Sequence, residues 1–190
     1  MSYKETCMKF CFKIGIPNQK ECKYWGDYYF VKSMGEALKR KGHDYIIQIL
    51  PKWETYEDKD SDVVVVIRGL SSYHNFKSHH LNVMWNISHP TSITPKEYNQ
   101  YDMVLAASEP YAQTLKKQLS VPVYPLLQFY DPQLFYPDFC KDLQSELLFV
   151  GNSRKVNRKI FQHLIPPPKE LTVYGMNWEN LLPAEYIKEN

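Results

Sequence analysis

Short apolar segments alternate along this chain with segments whose apolar residues recur at the spacing of an amphipathic helix. The clearest apolar segment is 62–67, which contains four consecutive valines. A run of that kind predicts a strand buried on both faces, as in the centre of a parallel sheet. The alternation therefore predicts an α/β fold built from β/α units that form a mostly parallel, Rossmann-like sheet.

Five further strands are predicted in the first two thirds of the chain. They are 10–16, 45–50, 81–88, 103–107 and 121–127. In the first of them Cys11 and Lys13 alternate with apolar residues. This alternation predicts that one face of the strand is less buried than in a central strand.

Helix signals lie between these strands. The segment 27–41 carries apolar residues on one stripe and ends in a basic turn before Gly42, which predicts a helix that stops there. Thr94 precedes a proline and an acid at capping-box spacing, and Ser108 precedes another amphipathic stretch. We expect each of these two residues to cap a helix.

The alternation of strand and helix segments stops at 129–144, where two prolines and scattered charges predict a linker between domains. A new unit follows, with strands at 146–150 and 171–174 and a helix at 155–165. One and a half β/α units do not bury a sheet alone. We therefore expect a first domain at 1–128, a linker, and at 145–190 the first β/α unit of a second domain, in a chain cut from a larger protein.

Composition and charge exclude several classes of function. The chain has 23 basic and 21 acidic residues, a net charge of +2, which is too balanced for a broad nucleic-acid-binding face. Its apolar runs are too short to span a bilayer, and its N-terminus lacks the apolar core of a signal peptide. We expect a cytoplasmic protein with no transmembrane segment. Four cysteines without C-x-x-C pairs are expected to be reduced thiols: Cys7, Cys11, Cys22 and Cys140.

Ligands of open parallel sheets bind beyond the carboxyl ends of the strands. This rule selects the loop 18–27, which contains Trp25, Gly26 and Asp27, and the segment 151–154. It also selects three pairs that follow later strands: Arg68 and Gly69, Ser88 and His89, and Ser108 and Glu109. Asp27 is expected either to cap the first helix or to point a carboxylate into the cleft. His89 is expected either to act as a general base or to be a loop histidine bonded to backbone.

Several common chemistries lack their motifs in this sequence. There is no G-x-G-x-x-G after the first strand, no Walker motif and no G-x-S-x-G elbow, which disfavours nicotinamide, flavin, nucleotide-hydrolase and serine-hydrolase chemistry. His74, His79 and His80 lack a carboxylate or cysteine at a familiar ligand spacing, so no metal is expected.

The stretch FVGNSRKVNR combines a strand, Gly151 and a cationic segment. With Asn152 or Ser153 as N-cap, Arg154 and Arg158 would share one helix face and reach one diphosphate. Cations at a helix N-terminus oppose the helix dipole unless an anion joins them. The alternative is a set of solvated side chains whose repulsion is screened by salt.

Six segments, in order, resemble the bacterial glycosyltransferases of the spore-maturation type, which have a GT-B fold. They are ALKRKGHD, WNISHP, YDMVLAAS, YPLLQFYDPQLFYP, LLFVGNSRKVNR and LTVYGMNWE. The resemblance covers nearly the whole chain. It implies an acceptor-binding first domain and a second domain that holds a nucleotide-sugar donor without a metal or other cofactor.

The resemblance implies a role for each of the predicted site residues. Gly151, Asn152, Ser153, Arg154 and Arg158 would bind the donor diphosphate. Asp27 or His89 would be the base, and the acceptor cleft would contain Trp25, Gly26, Arg68, Ser88 and Glu109. The acceptor is left open as a glycan, a protein or a small molecule, and this chain alone is expected to be inactive.

Two other functions stay open. The chain is alternatively a non-catalytic Rossmann-like module that binds a sugar, a nucleotide or a protein, or part of a sugar-nucleotide epimerase.

Overall fold

The computed structural model describes residues 6–138 and 144–188. The chain forms two compact units, one ending at Phe135 and one starting at Tyr136. Each unit contains a parallel sheet, with six strands in the first and three in the second. The predicted α/β fold with Rossmann-like parallel sheets is therefore confirmed.

The first sheet has the strand order β2-β1-β3-β4-β5-β6, and every neighbouring pair is parallel. The strands are β1 (Lys9–Ile14), β2 (Asp44–Ile49), β3 (Val63–Arg68), β4 (Leu81–Asn86), β5 (Met103–Ala106) and β6 (Val123–Pro125). The chain adds β2 on one side of β1 and then crosses to the other side of β1 to form β3. The strand order therefore reverses between β1 and β3, and sheets of this class bind ligands at that switch point.

Hydrophobic clusters cover both faces of this sheet. Val64 and Val66 of β3 face one cluster, whereas Val65 and Ile67 face the other, and all six residues of β3 are buried. Each fully buried aliphatic side chain of this size contributes about 1.5–3 kcal/mol of transfer free energy. The run of four valines thus marks a central strand, as its pattern predicts.

Three helices connect these strands: α1 (Gly26–Arg40), α2 (Pro95–Tyr98) and α3 (Glu109–Lys116). Thr94 accepts a hydrogen bond from the Glu97 amide, and Ser108 accepts one from the Tyr111 amide. The two predicted caps are confirmed. Asp27 lies in the first turn of α1 and is not its N-cap, because the helix begins one residue earlier than predicted.

The prediction of a half-exposed first strand is wrong. In the sheet β1 lies between β2 and β3, and both of its faces are covered, because Cys11 packs in one core cluster and Phe12 and Ile14 pack in the other. Cys11 and Lys13 are both fully buried. Lys13 is accommodated there because its Nζ lies 2.9 Å from Asp58 Oδ2.

The second unit has the strand order β7-β8-β9, with β7 at Leu147–Val150, β8 at Leu171–Tyr174 and β9 at Ile187–Lys188. Its core contains Phe161, Val173 and Trp178. The helix α4 spans Lys159–Leu164 and is shorter than predicted at its N-terminal end. It begins late because Arg154 and Lys155 both have φ of 59°, which no right-handed helix contains.

The predicted linker 129–144 spans the division between the two units. Its first part packs on the first unit, because the Phe129 ring lies 4.5 Å from that of Phe30 and 6.3 Å from that of Trp85. Residues 139–143 lie outside the described residues, as does the predicted thiol of Cys140. Cys7, Cys11 and Cys22 are free thiols.

No helix among the described residues combines the length and the apolar character that a membrane crossing requires.

Candidate functional site

The loops after the six parallel strands of the first unit all emerge at one edge of the sheet. At the switch point the loops after β1 and β3 are in close contact, since a Cβ added to Gly15 would lie 3.1 Å from Ser71 Oγ. The loops after β3 and β4 are also adjacent, because a Cβ at Gly69 would lie 3.6 Å from Ser88 Oγ. This edge contains the residues that strand-end reasoning selects in the first unit.

Arg68 organises this edge from inside the protein. Its guanidinium makes a bidentate contact with Glu97, through Nε to Oε1 at 2.6 Å and Nη2 to Oε2 at 3.2 Å. It also donates to the Gly69 carbonyl at 2.5 Å and to Ser72 Oγ at 3.2 Å. Arg68 is buried, and these bonds use most of its N–H groups. It therefore holds the loop after β3 in place and has few N–H groups left to bind a ligand.

Ser88 and His89 follow β4, and His89 has a left-handed φ of 50°. Its Nδ1 lies 2.9 Å from Ser88 Oγ, and its carbonyl accepts hydrogen bonds from both the amide and the hydroxyl of Ser92. These contacts fix an exposed imidazole at the carboxyl edge. Among the described residues Nε2 of His89 has no hydrogen-bond partner, so this nitrogen can exchange a proton with a ligand.

The other predicted residues of the first unit lie at two places on this edge. Trp25 packs on the core cluster beneath α1, while Gly26 and Asp27 form the first turn of that helix. Glu109 is exposed in the first turn of α3. Since β1 and β4 are separated by one strand, the loops that carry Asp27 and His89 begin roughly 10 Å apart.

An open cavity of about 250 Å³ lies at the carboxyl ends of β4 and β5. Ser88 and Ser108, which strand-end reasoning selects, both line it, and its other polar lining comes from Asn86 and Tyr111. Asn86 was missed because the predicted strand 81–88 runs two residues past it, whereas β4 ends at Asn86.

In the second unit, Asn152 and Ser153 bind the loop that follows β8. Asn152 Oδ1 accepts a hydrogen bond from the Met176 amide at 2.8 Å, and the buried Ser153 hydroxyl donates to the Asn177 carbonyl. The Ser153 amide donates to the Met176 carbonyl at 3.1 Å. Both side chains therefore hold the loop after β7 against the loop after β8.

The same two loops meet at a pair of glycines. A Cβ at Gly175 would lie 2.3 Å from the Gly151 carbonyl oxygen, and both residues have positive φ values, 140° and 155°. The Gly151 oxygen also accepts a hydrogen bond from Trp178 Nε1 at 2.8 Å. Backbone packing thus requires glycine at position 175, whereas at Gly151 the positive φ favours glycine and a Cβ would only reach ordinary contact with the Phe149 ring at 3.4 Å.

The cations of this loop do not occupy one helix face, and that expectation is wrong. Arg154 and Lys155 precede the helix and are exposed, whereas Arg158 is the half-buried N-cap residue of α4. Arg158 Nη2 donates to the Asn152 carbonyl at 2.7 Å. This hydrogen bond closes residues 152–158 into a compact loop, which we call the cationic loop. Arg154 and Lys155 project from it.

Among residues 6–138 and 144–188, no three histidine, cysteine or acidic side chains are grouped so that they could hold a metal ion. The chain matches no protein-family model and no curated protein.

Proposed function

We propose that this chain is part of a glycosyltransferase of the bacterial spore-maturation type, which transfers a sugar from a nucleotide-sugar donor to an acceptor hydroxyl. The observation that carries the proposal is the cationic loop, which directly follows the first strand of the second parallel sheet. In such sheets the loop after the first strand is where the phosphates of a nucleotide are bound.

The charges of this loop favour an anionic ligand. Arg154 and Lys155 are exposed, and neither joins an ion pair formed by the described residues. Two adjacent cations repel each other in the empty protein, whereas a diphosphate would accept a charge-assisted hydrogen bond from each. The same cations would stabilise the nucleoside diphosphate as it leaves, when negative charge develops on it.

In this proposal Arg158 has a different role from Arg154. Its hydrogen bond to the Asn152 carbonyl sets the shape of the cationic loop, as do the contacts of Gly151, Asn152 and Ser153 behind it. We expect Arg154 to contact the phosphates and Arg158 to position the loop.

Nucleotide binding tests the proposal. Uridine, guanosine, cytidine and thymidine diphosphates are titrated into the protein and binding is followed by calorimetry and by amide chemical shifts. Arg154→Met should weaken binding by about tenfold or more, since a hydrogen bond to a charged group contributes about 1.5–3 kcal/mol. Lys169→Met is the matched control, because Lys169 is an exposed cation that precedes β8 at the opposite edge of the same sheet.

Equal affinity in the two variants, or nucleotide-induced shifts confined to the first unit, would contradict the proposal. Transfer itself is tested by mass spectrometry of products formed from a panel of nucleotide sugars, with the protein expressed together with any residues encoded after Asn190. Nucleotide binding without any sugar transfer would favour a binding module instead.

A further inference from the structure

The cavity at the carboxyl ends of β4 and β5 is an open depression whose lining combines apolar surface with a few polar groups. Its volume is about 250 Å³, and its lining includes Asn86, Ser88, Ala107, Ser108 and Tyr111. Typical pockets for drug-sized ligands have volumes of about 300–1,000 Å³. The cavity therefore suits a ligand about as large as one small ring.

Asn86 presents an unused acceptor to this cavity. The residue is buried, and its Nδ2 donates to the Ser88 carbonyl at 2.7 Å and to the Arg68 carbonyl at 3.4 Å. Because both partners are carbonyl oxygens, which only accept, the orientation of the amide is fixed. Among the described residues no group donates to Oδ1, which is not itself buried and so is open to a ligand. A ligand that pairs with it carries an O–H or N–H group.

The remaining lining is neutral. Hydroxyl groups come from Ser88 and Ser108, and the ring of Tyr111 is held by contact of its hydroxyl with that of Tyr98 at 3.3 Å. None of the described residues that line the cavity carries a charged side chain. The nearby Arg68 guanidinium is committed to Glu97, so a carboxylate or phosphate ligand would find no counter-charge here.

We propose that this cavity binds one neutral saccharide unit, which accepts a hydrogen bond from the serine hydroxyls, donates one to Asn86 Oδ1 and packs against Tyr111. Hydroxyl groups that both donate and accept match this lining, and a flat ring offers an apolar face to a sugar. The inference rests on the proposed function in that the saccharide would be the acceptor. His89 lies between the lining residues Ser88 and Pro90 in the sequence but is not itself part of the lining.

Saturation-transfer NMR with free monosaccharides tests this inference without any nucleotide. Glucose, galactose and N-acetylglucosamine are compared with glucuronate, at concentrations suited to the millimolar affinity expected of a single sugar ring. Ala107→Leu fills the cavity without removing a polar group. Ala37→Leu is the matched control because Ala37 lines a different groove, between α1 and residues 129–134, and the substitution adds the same atoms there.

We expect at least one neutral sugar to bind to the wild-type protein and to the control, and to bind about tenfold or more weakly to Ala107→Leu. Tyr111→Leu, which removes the ring and keeps an apolar side chain, should also weaken binding. Thermal unfolding of each variant shows whether it is folded. Binding of no neutral sugar, equal binding to Ala107→Leu, or stronger binding of glucuronate would overturn the inference.

The outcomes separate the two proposals. Sugar binding in a protein whose cationic loop binds no nucleotide would uphold the cavity and reject the proposed transfer. Nucleotide binding and sugar transfer without saccharide binding in this cavity would reject the cavity alone.

Discussion

Lys13 and Asp58 form an ion pair in which neither side chain is exposed to water, with Nζ 2.9 Å from Oδ2. The ammonium group also donates hydrogen bonds to Gln48 Oε1 at 2.5 Å and to the Trp53 carbonyl at 3.0 Å, so its charge is held by one carboxylate and two neutral acceptors. Asp58 is paired on its other oxygen with Lys77. The pair therefore ties the connection between β2 and β3 to the centre of the sheet.

Lys13→Met should lower the free energy of unfolding by about 3–5 kcal/mol, because it leaves a buried carboxylate and two buried oxygens with fewer partners. Urea unfolding measures this change. Lys52→Met is the matched control: its pair with Glu57 is half exposed, so the loss should be only about 0–1 kcal/mol. Similar losses in the two variants would show that the buried pair contributes no more than an exposed one.

Features set by nearby residues could be predicted from the sequence. The valines of β3 indicate a buried strand by themselves, and the caps at Thr94 and Ser108 depend on residues within one helical turn. The burial of Lys13 could not be predicted in this way. It depends on the place of β1 between two strands and on an aspartate 45 positions further along the chain.

The cationic loop and the cavity also depend on contacts between distant residues, which the sequence pattern could not predict. Arg154 and Lys155 have left-handed backbones in a loop that Ser153 binds to Asn177, 24 positions away, so helix signals in the segment itself were misleading. The sequence places Asn86 near the end of a predicted strand, but the carbonyls of Arg68 and Ser88 decide which of its amide atoms is left for a ligand.

His80 should make the protein less stable in mild acid. It is buried, its Nε2 donates to the Asp58 carbonyl at 3.0 Å, and Nδ1 has no partner among the described residues. Burial, with a smaller contribution from His79, lowers the pKa of His80 below 6.5. Below that pH the unfolded chain therefore binds more protons than the folded protein, and the free energy of unfolding falls as the pH drops.

Urea unfolding between about pH 7.5 and pH 5.5 measures this dependence. His80→Gln keeps a donor for the Asp58 carbonyl and removes the titration, so the slope should decrease, whereas the exposed His74→Gln should retain it. Burial opposes the ionisation of Asp58, but its hydrogen bonds from Lys77 and Lys13 hold the pKa of Asp58 below 3.8. Its stabilising effect is therefore lost only in stronger acid. An unchanged slope in His80→Gln would assign the pH dependence to other groups.

Gly175→Ala should destabilise the second unit by more than about 2 kcal/mol. The added Cβ would lie 2.3 Å from the Gly151 carbonyl, a backbone atom that side-chain rotation cannot move, and φ at position 175 is 140°. Amide hydrogen exchange in β7 and β8 measures the loss. Gly26→Ala is the control because a Cβ there meets no atom within 4 Å. Unchanged protection of β7 in Gly175→Ala would show that the two loops separate at little cost.

His89, one of the two predicted bases, is exposed at the carboxyl edge of the first sheet. The left-handed φ of 50° disfavours most residues, but asparagine tolerates it, so His89→Asn removes the imidazole with little change in backbone preference. If His89 is the general base of the proposed transfer, kcat should fall by about 10²–10⁴-fold while KM for the donor stays nearly constant. His79→Asn, which changes an exposed histidine outside the site, should leave both unchanged.

Asp27→Asn provides the comparison within the site. Asp27 lies in the first turn of α1, where a carboxylate is favoured by the helix dipole, so this variant is expected to lose some stability even if it has no catalytic role. The pH profile of kcat separates the two effects. Loss of an acidic limb in only one of the two variants identifies the base, because a general base must be deprotonated to act. Wild-type rates in both variants would remove both residues from the mechanism.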